Sequence, residues 1–232
     1  MNTLSGRILW VIGLSWTFLF FSAEGLRVVA AGAPVFQSGP GASLLIELYS
    51  EPDASNSLPA EAWMKSLQKS EVLWKEFVPV IFRVEDSREY LQRQRNYERF
   101  WKSASAETPN FFLNGKIWKR WVENSSVPPA PVRPSGILKV ENFGSGAFAA
   151  AYVPPKTIPG QWLVHAVLLG EDFSVLAYDH AQLRRMNGAF RAPVSLKSHN
   201  GAFAKPYAVA VWVTRDNSLI PVQAAGGYLP ES

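Results

Sequence analysis

Cysteine is absent from the 232-residue chain, which removes disulfides, thiolate nucleophiles, cysteine-ligated zinc and iron–sulfur clusters at one stroke. Histidine is scarce. His165, His180 and His199 stand apart, with no i,i+4 pair and no carboxylate cluster at metal-ligand spacing. No Gly-x-Ser-x-Gly elbow accompanies them, so nothing in the spacing draws a histidine into Ser-His-Asp chemistry. Charge is sparse at 18% of residues, and the formal net charge of +4 comes from scattered basic residues. Such a balance gives solubility and mild anion affinity and builds no nucleic-acid surface. The apolar run Ile8–Phe21 is 14 residues long, shorter than the roughly 20 needed to span a bilayer as a helix.

What the chain has is apolar material, 47% of its residues, enough for one large or two small cores. Arg7 precedes the Ile8–Phe21 run, and small residues follow at Ser22–Gly25 and Val29–Gly32. This reads as a secretory signal over residues 1–31, cleaved near Gly25 or Ala31 or else retained as an anchor. In either case the folded part faces outside the cytoplasm: periplasmic, in the cell envelope or secreted. The membrane is then a partner only through an uncleaved segment.

Residues 32–41 have a linker composition. Ser43–Tyr49 is a continuous apolar run suited to a central strand buried on both faces, interrupted by Glu47. The turn Glu51–Pro59 leads into a helix that Asn56 or Ser57 can cap. Val78–Val84 is a second strand, and the crossover predicts parallel pairing. Ser87–Ser103 reads as a helix with Tyr90, Gln94, Tyr97 and Trp101 on one side and Glu89 spaced to pair with Arg93. Asn114-Gly115 between apolar runs predicts a type I′ hairpin. Residues 125–135 are Pro-rich and mark a boundary. Beyond them Ile137–Glu141, Ala147–Val153, Gln161–Leu169, Tyr207–Thr214 and Leu219–Ala224 read as short strands of a small antiparallel sandwich.

Glu47-Leu-Tyr-Ser50, the turn through Pro59-Ala-Glu61, Gln94-Arg-Asn-Tyr97, and Thr108-Pro109 before Phe111-Phe-Leu-Asn-Gly115 come in an order that resembles a bacterial family of secreted, thioredoxin-like proteins of unknown function. Gly170-Glu-Asp172 is similar to a Gly-Glu-Asn stretch in that family's C-terminal half. The resemblance implies an α/β thioredoxin-like domain over residues 42–124 and a mostly β C-terminal domain over 136–232. In that family the turn after the first strand carries Cys-x-x-Cys at a helix start, where dipole and free amides stabilise a thiolate. Here those positions are Ala54 and Ser57, so thiol–disulfide exchange is chemically impossible. The family's insertion after the second strand and its helix after the hairpin are also missing. Pro109 matches a position where thioredoxin-like folds carry a cis proline beside backbone that pairs with an extended peptide.

Ala54, Ser57, Thr108 and Pro109 are therefore the candidate ligand-binding residues, as a vestigial groove for an extended peptide or envelope protein. Helix capping and turn architecture account for the same residues without a ligand. Glu47, Glu51 and Asp53 suggest an acid–base pair, yet one lies in a strand and two in a solvated turn. Lys116–Trp121 mixes basic and aromatic residues, but alternation on a strand breaks any basic stripe. No cofactor, metal or nucleic-acid partner is expected. The expected function is a redox-inactive binding or scaffolding protein. The alternatives are a non-redox enzyme acting in the cleft between the two domains, through carboxylates or a histidine, and a membrane-tethered structural protein.

Overall fold

The first described element of the computed structural model is a short strand, β1 (Val35–Gln37), followed by β2 (Leu44–Ser50), α1 (Ser57–Ser66), β3 (Phe77–Arg83), α2 (Arg88–Trp101), β4 (Asn110–Leu113) and β5 (Lys116–Ile117). Seven strands complete it: β6 (Ile137–Gly144), β7 (Ala147–Val153), β8 (Trp162–Leu169), β9 (Val175–Met186), β10 (Ala189–Ser195), β11 (Ala208–Arg215) and β12 (Pro221–Tyr228). The structure describes residues 35–52, 54–102, 108–119, 126–156, 160–196 and 205–230. The expected signal segment 1–31, Asp53, Arg120, Trp121 and His199 lie outside the described residues.

A four-stranded sheet has the order β3-β2-β4-β5, with β2 and β3 parallel and the rest antiparallel. Every residue of β2 is buried, as its continuous apolar run requires of a strand with neighbours on both edges. Alternation sends Glu47 and Tyr49 toward α2 and Ser50 toward Glu61 of α1. The β4–β5 turn is the expected hairpin, with positive φ at Asn114 and Gly115. Gly115 is needed twice: a Cβ there would sit 3.0 Å from the Leu219 carbonyl.

The larger sheet is antiparallel throughout, in the order β1-β6-β7-β10-β9-β8-β11-β12, and curls into a nearly closed barrel. Gln223, fully buried, clasps the seam. Its amide nitrogen donates to the carbonyls of Gly39, Gly41 and Gly136 at 3.1, 2.8 and 2.7 Å, and its oxygen accepts from the Ser43 and Ala224 amides. Phe36 of β1 packs onto β12 where Gly227 has no side chain; a Cβ there would lie 2.4 Å from the ring.

Alternation along β11 explains why its apolar run is buried on both faces. Val209, Val211 and Val213 join the barrel interior, whereas Ala208, Ala210 and Trp212 share a second core with β2, β3 and β4. The turn after β8 fastens the two sheets: the Ile81 amide donates to the Phe173 carbonyl, and Arg83 bridges Glu61 and Asp172 at 3.2 and 2.8 Å. Gly170-Glu-Asp172 thus forms a strand-ending turn.

The chain is mostly β, and this overturns the expected fold class of an α/β thioredoxin-like domain with a small sandwich-like partner. The strand–helix–strand signal is present, but the dominant body is an eight-stranded barrel-like sheet. That sheet recruits β1 from the stretch expected to be linker, and includes the long β9–β10 hairpin, which its charged residues hide. A smaller correction concerns α2: Arg93 turns inward to Glu47 rather than pairing with Glu89, while Trp101, 36% exposed, donates its indole N–H to the Gly115 carbonyl. Ser87 caps this helix by accepting from the Glu89 amide, and Lys102 closes it in the left-handed conformation.

Candidate functional site

The side chains of chemical interest lie where α2 crosses the outer face of β8, β9 and β11. Tyr90, Arg93, Gln94 and Tyr97 recur at helical spacing and form its buried face. Arg93 donates from Nε to Glu47 Oε1 at 2.9 Å, Tyr97 donates to Oε2 at 2.6 Å, and Tyr49 donates to Oε1 at 3.2 Å. Burial alone would lower the Arg93 pKa; the Glu47 charge outweighs it and holds the guanidinium protonated well above its usual range. Burial first, with the Glu47 charge second, pushes the Tyr49 hydroxyl up. Glu47 thus accepts three hydrogen bonds from side chains buried with it.

The guanidinium of Arg93 also sits 5.0 Å above the Trp212 ring. On that indole stacks His165, 5.3 Å between ring centres and nearly parallel at 10°. His165 is 7% exposed, and both ring nitrogens are engaged, Nδ1 with the Tyr178 hydroxyl at 2.8 Å and Nε2 with Thr214 Oγ1 at 3.1 Å. Burial, then the charges of Arg93 and His180, push its pKa well below the ordinary histidine value, so the imidazole is neutral.

Above His165 opens a cleft of about 540 Å³. Asn96, Arg99 and Phe100 of α2 form one wall, Leu163, His165 and Thr214 the floor, and the Asp216–Leu219 turn the other wall. Arg99 Nη2 donates to Asn96 Oδ1 at 2.5 Å, and Phe100 is 48% exposed at the rim. The opposite turn is held by Gly115 and by Tyr97, whose hydroxyl lies 3.1 Å from the Leu219 carbonyl. Its lining carries one carboxylate, Asp216, against the donors of Asn96, Arg99 and Asn217.

The expected site residues gather elsewhere. Thr108-Pro109 is a cis peptide bond. Asn56 Nδ2 donates to the Thr108 carbonyl at 2.7 Å, bringing the Ala54–Ser57 turn beside Thr108 and Pro109. Ser57 is buried at the start of α1, where its hydroxyl accepts from the Glu51 amide at 3.3 Å, and the Ala54 carbonyl accepts from the Ser57 and Leu58 amides. These four residues are thus brought together by turn hydrogen bonds, with the Asn56 side chain on the Thr108 carbonyl.

Sequence reasoning placed the histidines apart, but His165 and His180 are cross-strand partners with rings 6.0 Å apart. It also missed Arg93, Trp212, Thr214 and the 216–219 turn. A signal for the first existed: Arg93 falls at i+3 from Tyr90 and i−4 from Tyr97, on the apolar side of α2. Among the described residues no group of three or more His, Asp or Glu side chains has a metal-holding arrangement.

No protein-family model matches the chain, and no curated protein does. Two solved structures share its fold. The crystal structure of protein AGR_C_4864 from Agrobacterium tumefaciens superposes with a TM-score of 0.51 at 17% identity, over 82% of this chain and 95% of that one. HBP35 of Porphyromonas gingivalis superposes with a TM-score of 0.55 at 11% identity, over 83% of this chain and 76% of that one. At such identities the likeness is one of fold.

Proposed function

We propose that the protein is an exported, redox-inactive, non-catalytic binding protein, and that its ligand sits in the cleft beside α2. The observation that carries this reading is the committed state of the groups that could do chemistry there. His165 has both nitrogens engaged and is neutral, Thr214 is fully buried, and Glu47 lies beneath, bound by three donors. What remains open is a lining in which the apolar Phe100, Leu163 and Leu219 are interspersed with Asn96, Arg99 and Ser218. That surface suits a small molecule with an apolar body and acceptor groups within reach of Arg99. Export rests on Arg7 and the Ile8–Phe21 run.

A thermal-shift screen of small carboxylates, sugars and aromatic fragments tests the proposal, with Leu163→Trp filling the cleft. A ligand present at a hundred times its Kd stabilises by about 2.7 kcal/mol, which raises Tm by about 5–10 °C at this size. The shift is expected in the wild type and not in Leu163→Trp. Equal shifts in both proteins would move the ligand out of the cleft.

A second reading, a non-redox enzyme, is favoured by the order hydroxyl–imidazole–hydroxyl in Thr214, His165 and Tyr178, which resembles a nucleophile, base and orienting group. Thr214→Val separates the two: binding is kept under the first reading, while turnover of a bound ester or amide, lost in this variant, would favour the second.

A further inference from the structure

Away from the cleft, one end of the barrel carries a group of residues that neither sheet packing nor the proposed ligand uses. Trp162 of β8 and Tyr152 of β7 point into the barrel at this end, 5.2 Å apart between ring centres, with Phe190 6.1 Å from the indole. Tyr152 and Trp162 floor a pocket of about 120 Å³ whose rim holds Arg133, Ser135, Arg215 and Val222. The volume equals the liquid share of about four waters.

Three features mark this pocket as built for a negative charge. Arg215 stands directly opposite Trp162 across β11 and β8, its guanidinium 5.4 Å above the indole. Neither Arg215 nor Arg133 has a carboxylate partner among the described residues, whereas Arg83, Arg93 and Lys139 each have one. Both charges nevertheless converge: burial pushes Tyr152 up to about 12, and Arg215 and Arg133 pull the other way, so both act on the same phenol. Finally, Trp162 is 2% exposed and its indole N–H is a buried donor without an acceptor among the described residues, a costly arrangement that an added acceptor would relieve.

The backbone forms the wall deliberately. Gly136 at φ +81° folds residues 134–136 across the barrel end, where a Cβ would sit 2.3 Å from the Val153 carbonyl. The Tyr152 hydroxyl donates to the Ser135 carbonyl at 2.8 Å, so its proton is spent on holding that wall. What remains to bind with are two planar guanidinium forks, which match the paired oxygens of a carboxylate or phosphate, at the mouth of a barrel, a recurrent place for small ligands.

We infer that the barrel mouth bounded by Arg133, Arg215 and Trp162 is a binding site for a small oxyanion, a phosphate or a short carboxylate. It is independent of the cleft beside α2.

The test is a titration of the full chain, with 15N-labelled tryptophan, by inorganic phosphate and separately by acetate at constant ionic strength. The Trp162 indole cross-peak is assigned from Trp162→Phe, and sodium chloride serves as control. The expected result is a saturable shift of that peak with phosphate or acetate, the tighter of the two identifying the oxyanion geometry preferred. Affinity falls at least about tenfold in Arg215→Gln and again in Arg133→Gln, as loss of a charge-assisted pair demands. Arg133 lies in a bend outside any strand, so its variant reports on binding even if Arg215→Gln loosens β11. A peak that moves equally with chloride, does not saturate, or keeps its wild-type affinity in both arginine variants overturns the inference.

Discussion

Replacing Glu47 by alanine removes the acceptor of a buried network, and its cost can be worked from the contacts. Glu47 is fully buried, Arg93 is 7% exposed, and three donors converge on the carboxylate at 2.6–3.2 Å. Removing one partner of a buried pair leaves the other charge desolvated, at a cost of about 3–5 kcal/mol. For a chain of this size that lowers Tm by about 6–20 °C. Urea unfolding followed by tryptophan fluorescence measures it. In a double-mutant cycle Arg93→Ala should cost a similar amount, and the double variant far less than the sum, because neither charge is then orphaned. Glu47→Leu with Arg93→Met should come closer to the wild type than either single variant. A loss below about 1 kcal/mol in Glu47→Ala would refute the reasoning, since a carboxylate so cheaply removed is not the anchor of α2.

Acid should weaken the protein through His165. Its folded pKa is pushed below the unfolded value of about 6.5, so the unfolded state binds the extra proton. The stability contribution is then complete above about pH 6.5 and lost as pH falls below it. His165→Gln should flatten the dependence of Tm on pH between about pH 7 and 5, and an unchanged slope would contradict the assignment. Gln223→Ala should cost roughly 2 kcal/mol or more, because it strips partners from the buried Ser43 amide and Gly136 carbonyl as well as from the more exposed Gly39 and Gly41 carbonyls; thermal unfolding reads it. Gly227→Ala should cost about 1–3 kcal/mol through its collision with Phe36, and Phe36→Ala in the same chain should recover part of it, the failure of additivity being the diagnostic.

The segments legible from sequence were those whose local chemistry dictates one geometry. Asn114-Gly115 needs two positive φ values and took them; the Ser43–Tyr49 run could only be a strand buried on both faces; the strand–helix–strand order gave parallel β2 and β3. The β9–β10 hairpin was missed because Asp179, His180, Arg184 and Arg185 break its apolar alternation where the barrel faces solvent, although Asn187-Gly188 carries the same turn signal as the first hairpin. Without β9 the His165–His180 neighbourhood had no means of appearing, since it exists only through cross-strand register. Barrel closure was equally invisible. It depends on Phe36 meeting Gly227 and on Gln223 reaching three carbonyls, contacts between residues more than 80 apart in the chain. Ala54, Ser57, Thr108 and Pro109 do meet, through the Asn56 side chain on the Thr108 carbonyl, a contact between residues 52 apart that local chemistry does not announce.

Amide chemical-shift mapping with the strongest fragment from the thermal screen tests the central claim most directly, because it locates the ligand as well as detecting it. The account predicts shifts confined to residues 96–100, 163–165 and 214–219 and absent in Leu163→Trp. Shifts centred on Ala54, Ser57 and Thr108, or a fragment library that yields no binder, would contradict it.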